Sequence, residues 1–393
     1  MYKNADNPIL NSTILNYRTL PFAILPTSDP FAAMRGIEPV AVIMPFEFLD
    51  NGDVVFNVCA MDAETVEVEG KSGAHWSDGR HALENKGSGW FRGVVSGIPA
   101  GFQYMQYYFD GKPVLYEHAP IGWGYGYAVN YIDKPDPELD FYLMKHVPHG
   151  TIRYETYYSD YTKDMRSCWV YTPPSYDTNP EKTYPTLYIQ HGAGENESGW
   201  FWQGKLNYIL DNLIAEGKAE EMIIVSNSGY ATPASPDSSN AFFSDLAPLL
   251  INDCIPFIEK RFRARQGKAY RALAGLSMGA IQAQTICYTH PESFDYIGIF
   301  SGVTGVELPD VEQRMFFKFL DYEQFYGNPE VFNAQHKLLY FGKGSDEGGD
   351  LLPREIAVLR GRGVTCEYYV CDGVHEWQVW RKTAHDFLPR LFR

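Results

Sequence analysis

The sequence is poor in positive charge. Lysine and arginine total 33 residues against 49 aspartate and glutamate residues, which gives a formal net charge of −16 at pH 7. Proteins that bind nucleic acids neutralise the phosphate backbone with clustered lysine and arginine, whereas an acidic surface repels it. We therefore expect no nucleic-acid partner, although the charge does not identify a substrate.

Metal-binding cysteine patterns are also missing. The chain contains neither a C-x-x-C pair nor a nearby H-x-x-x-H run around its six cysteines, Cys59, Cys168, Cys254, Cys287, Cys366 and Cys371. Structural zinc sites and thiol redox sites need their side chains at such short spacings. We expect buried free thiols, and neither a metal nor an organic cofactor.

Long apolar runs are absent as well. No stretch approaches the roughly 18 apolar residues of a membrane span, and residues 1–11 are polar, without the basic-then-apolar pattern of a secretory signal. We expect no membrane partner. The protein is expected to be cytoplasmic, or secreted if a signal has been removed from it.

The chain has two halves with different patterns. Residues 39–133 contain short alternating runs separated by Gly, Asn and Asp, which is typical of a β-sandwich. A charged, proline-containing stretch at 133–138 predicts a stiff linker. From residue 151 onward, short apolar runs alternate with amphipathic stretches. This second pattern predicts an α/β fold with a doubly wound, mostly parallel sheet.

One pentapeptide of the second half predicts an active-site serine. The run Gly275-Leu276-Ser277-Met278-Gly279 lies between an apolar strand-like run, 270–274, and a helix-like run, 280–288. A G-x-S-x-G sequence on a strand-to-helix turn forms a nucleophile elbow, in which small neighbours let the turn close and expose the serine hydroxyl. Ser277 is the candidate nucleophile.

A carboxylate and a histidine follow this serine in the chain order that the motif requires. Asp346 and Glu347 follow the predicted strand 338–341, and His375 follows the predicted strand 365–370. Loops at the carboxyl ends of such strands form active sites. His375 would accept the proton of Ser277, and one of the two carboxylates would orient its imidazole. His385, by contrast, is expected on the surface of the last helix.

Ester hydrolysis also needs amides that stabilise an oxyanion. The Met278 amide, just after the nucleophile, is one candidate. Ala193 supplies the second, because the turn His191-Gly192-Ala193-Gly194 follows a predicted strand, 186–190. His191 itself is expected to hold this turn through a hydrogen bond.

Residues 151–393 resemble the esterase D and feruloyl esterase group of carbohydrate esterase family 1. The segments that carry the resemblance are 171–176, 191–200, 212–218, 274–279 and 375–380. The resemblance implies an α/β-hydrolase fold, the catalytic roles given above for Ser277 and His375, and the two oxyanion amides. The family's usual G-x-x-D pattern, counted from Gly344, falls on Glu347, so we predict Glu347 as the acid, with Asp346 as the alternative.

The first half is similar to the early-set, immunoglobulin-like modules related to family-48 carbohydrate-binding modules. The matching segments are 89–91, 97–101 and 107–111. Trp76, Trp90 and Trp123 could stack on a glycan, or they could pack inside the module or cover the esterase. The predicted organisation is an extension at 1–30, an immunoglobulin-like β-sandwich at 31–135, a linker at 136–150 and an esterase domain at 151–393.

The resemblance predicts a serine ester hydrolase that releases ferulate from feruloylated plant saccharides. A hydroxycinnamate needs an aromatic slot, for which Trp200, Trp377 and Trp380 are candidates, although each could instead brace the His375 loop. The alternatives are an acetyl-xylan esterase, an enterobactin-type siderophore esterase, an S-formylglutathione hydrolase and a non-catalytic glycan-binding protein. The expected partner is a small-molecule or oligosaccharide ester, with possible glycan contact through the first half.

Overall fold

The computed structural model describes residues 44–71, 76, 79–231, 245–302 and 327–393. The chain divides into two compact units between Asp140 and Phe141. The predicted extension at 1–30 lies outside the described residues. No helix in the described ranges is long and apolar enough to cross a membrane.

The described part of the first unit is entirely β-structure. All of its strand pairs are antiparallel, in the order β1-β2-β5-β4-β3-β6-β9-β8, with β7 beside β6. The strands are β1 Phe46–Phe48, β2 Val54–Cys59, β3 Val66–Gly70, β4 His81–Gly87, β5 Trp90–Val95, β6 Gly101–Phe109, β7 Lys112–Val114, β8 Ile121–Gly124 and β9 Tyr127–Lys134.

One apolar core holds this unit together. Its members come from distant strands of the sheet, for example Phe56 of β2 and Tyr107 of β6, together with Trp76. The sheet therefore folds over itself around a shared core, as in a sandwich. The charged stretch predicted as a linker begins inside the sheet, because Asp133 is a buried residue of β9.

The second unit has a mixed sheet of eight strands among its described residues. These are β10 Thr151–Ser159, β11 Asp164–Thr172, β12 Thr186–Gln190, β13 Ile223–Asn227, β14 Arg271–Leu276, β15 Tyr296–Phe300, β16 Leu338–Gly344 and β17 Glu367–Cys371. Their order is β10-β11-β13-β12-β14-β15-β16-β17. The strands β12 to β17 pair in parallel, whereas β10 and β11 join antiparallel.

Helices connect these strands. The described α-helices are α1 Gly199–Trp202, α2 Leu206–Ala215, α3 Ile255–Arg261, α4 Met278–Thr289, α5 Pro329–Gln335, α6 Leu351–Gly361 and α7 Trp377–Phe387. A π-helical turn, Leu249–Cys254, leads into α3, and two 3₁₀ turns, Lys268–Tyr270 and Leu388–Arg390, lie before β14 and after α7. The predicted α/β-hydrolase architecture is confirmed, and its strand order reverses direction between β12 and β14, where open α/β sheets bind their ligands.

Two smaller expectations concern the linker and the thiols. Residues 141 and 143 accept hydrogen bonds from Asn212 of α2 through their carbonyls, and His149 bonds to Asp211. The later part of the predicted linker is thus tied to the second unit. All six cysteines are free; four of them are buried, as expected for unreactive core thiols, whereas Cys59 and Cys366 are only partly buried.

Candidate active site

Ser277 lies on the turn between β14 and α4, where its backbone is strained. Its φ of 52° and ψ of −116° fall in a region that residues with a side chain rarely adopt. Its amide donates to the Phe300 carbonyl at 2.9 Å, and its carbonyl accepts from the Ala280 amide at 3.1 Å. The neighbouring strand and the helix therefore hold the serine from both sides, as in a nucleophile elbow.

The two glycines of the motif relieve different contacts. A Cβ on Gly275 would lie 2.3 Å from the Gly279 carbonyl oxygen, and a Cβ on Gly279 would lie 2.6 Å from the His191 carbonyl oxygen. Both distances are far shorter than a van der Waals contact, and both obstacles are backbone atoms. Gly275 lets the turn close, whereas Gly279 lets α4 pack against the loop after β12.

His191 holds the loop after β12 in place. Its Nε2 accepts a hydrogen bond from the Gly229 amide at 3.0 Å, which leaves the ring proton on Nδ1, where it donates to the Gly192 carbonyl at 2.8 Å. Burial lowers the pKa of His191, and the bond to Gly192 opposes that effect only in part. His191 is a neutral, fully bonded residue, which confirms the structural role predicted for it.

The same loop presents one amide without a partner. The Gly192 amide donates to Glu195 Oε2 at 3.2 Å, and the Gly194 amide donates to Tyr230 Oη at 2.5 Å. Within the described part of the chain, the amide of Ala193 between them makes no hydrogen bond. Its residue is exposed, so this amide is available to a ligand.

The loop after β12 also passes close to the nucleophile. A Cβ on Gly192 would lie only 3.6 Å from the Ser277 Cβ. Met278 is the first residue of α4, and the first amides of a helix have no acceptor within the helix. The amides of Ala193 and Met278 thus belong to two segments that border Ser277, an arrangement suited to stabilising an oxyanion.

Glu347 is the carboxylate that contacts His375. Glu347 Oε2 lies 3.3 Å from His375 Nδ1, while Glu347 Oε1 accepts from the Gly344 amide at 2.8 Å and from the Ser301 hydroxyl at 2.5 Å. Burial raises the pKa of the Glu347 carboxyl, but the hydrogen bonds from His375, Ser301 and Gly344 outweigh burial and hold that pKa below its usual value. The side chain therefore stays ionised beside the imidazole.

Asp346, the alternative acid, takes another position. It is exposed, and its backbone amide donates to the Gly373 carbonyl at 3.0 Å. This bond joins the loop that carries the carboxylates to the loop that carries His375. His375 is itself about half exposed, with 47% of its side chain accessible, as a residue that must meet a substrate should be.

The structure brings Glu347 and His375 together and places Ser277 at the same edge of the sheet. The three residues follow β16, β17 and β14, which are parallel strands. Among the described residues, no hydrogen bond joins the Ser277 hydroxyl to His375. Such bonds are often long before substrate binds and tighten in the reacting complex.

The three candidate tryptophans form a packed row beside His375. The ring centres of successive members lie 5.1 Å apart for His375 and Trp380, 5.2 Å for Trp380 and Trp377, and 5.3 Å for Trp377 and Trp200, each pair edge to face. Edge-to-face contacts of this kind are favourable for aromatic rings. The row connects the His375 loop to helix α1.

Burial favours bracing over substrate contact for two of these tryptophans. Trp200 and Trp377 have no exposed surface, and their indole N–H groups donate to the Gln190 carbonyl and to Glu195 Oε1, both at 2.8 Å. The expectation that they line an acyl slot therefore gives way to a supporting role, because a ligand cannot touch them in this structure. Trp380, which is 5% exposed, donates to Ser301 Oγ at 3.0 Å.

Sequence reasoning missed two polar residues of the site, Glu195 and Ser301. Glu195 accepts hydrogen bonds from the Gly192 amide and from the Trp377 indole. It therefore joins the loop after β12 to the row of tryptophans beside His375. Ser301 follows β15 directly. The sequence could have indicated Ser301 only through its position at the carboxyl end of a parallel strand.

His385, expected on the surface, is half-buried, with its ring centre 4.5 Å from that of Phe141.

Several known proteins are similar to this chain. A curated endo-1,4-beta-xylanase/feruloyl esterase of Xylanibacter ruminicola is 31% identical over 350 residues, which cover 86% of this chain but 44% of that protein. A solved ferulic acid esterase superposes with a TM-score of 0.52 at 26% identity, covering 61% of this chain and 97% of the other. A CE1 ferulic acid esterase of the anaerobic fungus Anaeromyces mucronatus gives a TM-score of 0.55 at 24% identity, covering 65% and 96%.

The chain thus spans less than half the length of the Xylanibacter relative. The family model named Esterase matches residues 159–391, which is more than half of this chain. That range contains the Ser277 elbow, the loop after β12, Glu347 and His375. This chain belongs to the Esterase family, on an α/β-hydrolase fold.

Proposed function

We propose that this protein is a serine carboxylic-ester hydrolase that releases ferulate from feruloylated plant saccharides. The observation that carries the proposal is the pairing of His375 with the partly buried, ionised Glu347 at the sheet edge that also holds the strained Ser277 elbow. A nucleophile, an orienting acid and a base, in that chain order, define an acyl-transfer site of this fold.

The mechanism follows from the positions of these groups. Ser277 Oγ attacks the ester carbonyl carbon and passes its proton to His375 Nε2, while Glu347 stabilises the imidazolium through Nδ1. The amides of Ala193 and Met278 stabilise the negative charge on the carbonyl oxygen. His375 then protonates the departing sugar alcohol, and a water molecule activated by the same histidine hydrolyses the acyl-enzyme and frees Ser277.

The choice of acyl group rests on the relatives. The curated Xylanibacter protein and the solved structure at 26% identity are named as feruloyl or ferulic acid esterases. Fold and triad alone do not select an acyl group, so acetylated xylan and catecholate siderophores are the substrates against which the proposal must be compared.

A hydrolysis panel tests this choice. The full-length chain would be assayed with methyl ferulate, methyl p-coumarate, acetylated xylan and a catecholate siderophore. We expect kcat/KM to be highest for the two hydroxycinnamate esters, by at least about tenfold. A higher value for acetylated xylan or for the siderophore would assign the enzyme to another class of ester, whereas no turnover of any ester would reject hydrolase activity altogether.

We also propose that the first unit contacts the saccharide part of the substrate through the hairpin of β8 and β9. Trp123, Tyr125 and Tyr127 of this hairpin are 45%, 40% and 49% exposed. Lys71 Nζ lies 4.8 Å from the Tyr125 ring centre and donates to Tyr127 Oη at 3.1 Å. Exposed rings that neighbouring groups hold in place offer apolar faces to sugars at little entropic cost.

The other two tryptophans of this unit are less suited to that role. Trp76 is 2% exposed and belongs to the apolar core, which makes it a packing residue. Trp90 is half-buried at the start of β5. The glycan proposal therefore rests on Trp123 and its tyrosine neighbours.

Saccharide contact can be tested separately from catalysis by comparing two substrates. Feruloylated arabinoxylan has a saccharide part, whereas methyl ferulate has none. The Trp123→Ala/Tyr125→Ala double variant should release ferulate from feruloylated arabinoxylan about thirty times more slowly, because the two rings contribute about 1 kcal/mol of binding each. Its rate with methyl ferulate should be unchanged. Tyr154→Ala, which removes a similarly exposed tyrosine from the second unit, is the control. Equal rates of wild type and variant on arabinoxylan would contradict the proposal.

A further inference from the structure

Ser301 lies where two parts of the active site meet. It directly follows β15, the strand between those that carry Ser277 and Glu347 in the sheet order. Its amide donates to the Gly342 carbonyl of β16 at 2.7 Å. The backbone of Ser301 is therefore fixed to the strand that leads into the Glu347 loop.

The Ser301 hydroxyl connects two side chains of the site. It donates to Glu347 Oε1 at 2.5 Å and accepts from Trp380 Nε1 at 3.0 Å. Trp380 in turn packs edge to face on His375, with ring centres 5.1 Å apart. A closed circuit thus joins the carboxylate, the serine, the indole and the imidazole.

We infer that Ser301 is a positioning residue, which holds one carboxylate oxygen of Glu347 so that the other faces His375. The inference rests on the proposed esterase function. Glu347 Oε1 receives two donors, Ser301 and the Gly344 amide, whereas Oε2 is directed to His375 Nδ1. Gly344 ends β16, the strand that leads directly into the Glu347 loop, so Ser301, which follows β15, is the donor that ties the carboxylate to a different strand.

The length of the acidic side chain agrees with this role. A glutamate extends its carboxylate by one carbon–carbon bond, about 1.5 Å, beyond an aspartate at the same position. That extra reach lets one carboxylate span from Ser301 to His375. Ser301 would thereby limit the added torsional freedom of a glutamate, which an aspartate does not have.

The backbone of Ser301 provides independent support. Its φ is +53°, a value at which glycine is favoured because a side chain is strained. A serine at such a position bears a cost that a glycine would not, and strain of this kind is concentrated at functional sites. The hydroxyl that glycine lacks is the group that bonds to Glu347.

The test compares Ser301→Ala with Ser301→Gly in the full-length enzyme. Both changes remove the hydroxyl, but only glycine relieves the positive φ. We expect both variants to lose about tenfold to a hundredfold in kcat with methyl ferulate, the range for one hydrogen bond to a charged group, with little change in KM. Trp380→Phe, which keeps the ring and removes the N–H group, should lose about two- to tenfold in kcat.

A double-mutant cycle distinguishes positioning from general structural support. In a Glu347→Ala background there is no carboxylate to hold, so Ser301→Ala should cost less than about twofold in kcat. An undiminished loss in that background, a rise in KM in place of a fall in kcat, or wild-type kcat in Ser301→Ala would each overturn the inference. If Ser277→Ala kept full activity, the esterase proposal itself would fail, which is a different result from a failure of Ser301 alone.

Discussion

Two serines at the ends of adjacent parallel strands have positive φ angles, and both lie in the candidate site. Ser277 follows β14 with a φ of 52°, and Ser301 follows β15 with a φ of 53°. Residues other than glycine bear an energetic cost there, of the order of 1 to 3 kcal/mol. Ser277, on its strained turn, is the candidate nucleophile, and Ser301, on its own, donates its hydroxyl to Glu347.

Substitution of the two neighbouring carboxylates should affect kcat to very different extents. Glu347→Gln should lower kcat on the order of 10⁴-fold, because the neutral amide no longer stabilises the imidazolium or selects the tautomer of His375. Asp346→Asn, the matched control, should stay within about twofold of wild type, since Asp346 is exposed. Steady-state kinetics with methyl ferulate measure both effects, and a larger loss in Asp346→Asn would contradict the assignment of the acid.

Glu376, next to the candidate base, is a buried carboxyl with an unusual pKa. It is 9% exposed, and its Oε1 atom has no hydrogen-bond partner among the described residues. Burial raises the pKa of Glu376 from the ordinary glutamate value of 4.5 to about 8, against the opposing effect of hydrogen bonds from Val374 and Gln378. At neutral pH the folded protein therefore keeps a proton on Glu376 that the unfolded chain releases.

This difference predicts how stability depends on pH. Because the folded state binds the extra proton between about pH 4.5 and pH 8, the contribution of Glu376 is fully present below the lower value and is lost as the pH rises through the higher one. Glu376→Gln should remove that loss, and at pH 8 the free energy of unfolding of the variant should exceed that of wild type by up to about 4 kcal/mol. Urea unfolding at pH 5 and pH 8 measures it, with the exposed Glu330→Gln as the control. Parallel pH profiles for wild type and Glu376→Gln would refute the prediction.

The candidate nucleophile and the candidate acid could be identified from sequence because local motifs specify them. The G-x-S-x-G run defines the elbow without reference to the rest of the fold, and the spacing from Gly344 indicates Glu347. Ser301 and Glu195 were not predicted, because their roles depend on contacts between loops that are far apart in the chain. Tryptophans in a motif likewise do not show whether their rings face the core or a ligand.

At the scale of strands and loops, backbone hydrogen bonds continue beyond the strand ends. The amides of Ser277, Ser301 and Ser345 donate to carbonyls of the next strand in the sheet, at 2.9, 2.7 and 2.7 Å. Each of these residues immediately follows its strand. The loops that carry the site are therefore extensions of the sheet, which restricts their movement and holds the catalytic groups in place.

The strand–turn–helix unit around Ser277 should not tolerate a side chain at Gly275. Gly275→Ala places a Cβ within 2.3 Å of the Gly279 carbonyl oxygen, so the turn must open and Ser277 must move. Kinetics with p-nitrophenyl acetate should show a loss of about 10² or more in kcat/KM, as expected for a shift near 1 Å. Gly361→Ala, where an added Cβ meets nothing within 4 Å, should be unaffected. Wild-type activity in Gly275→Ala would show that the turn tolerates the change.

Fully buried strands could be predicted from sequence more readily than the hairpin of β10 and β11. The apolar runs at 186–190 and 296–300 coincide with β12 and β15, both of which are buried throughout. The hairpin was not predicted, because its strands mix buried and exposed residues irregularly. Such a mixture leaves no continuous apolar run that would mark a strand in the sequence.

At the scale of the whole molecule, two compact units divide the chain. The esterase family match and the candidate site lie in the second, whereas the exposed Trp123, Tyr125 and Tyr127 lie in the first. The sequence pattern predicted two halves of different fold. It could not assign a ligand to the first unit, since aromatic residues occur both in cores and on sugar-binding surfaces. We propose that the second unit catalyses ester hydrolysis and that the first unit contacts the saccharide.

The central claim is that Ser277 attacks the ester. The most direct measurement is ferulate release from methyl ferulate by the wild-type chain and by Ser277→Ala, with unfolding curves to show that the variant remains folded. We predict a fall in kcat of at least about 10⁴-fold in the variant, since a triad without its nucleophile retains only a small part of its catalysis. Ferulate release by folded Ser277→Ala at a rate near that of wild type would contradict the claim.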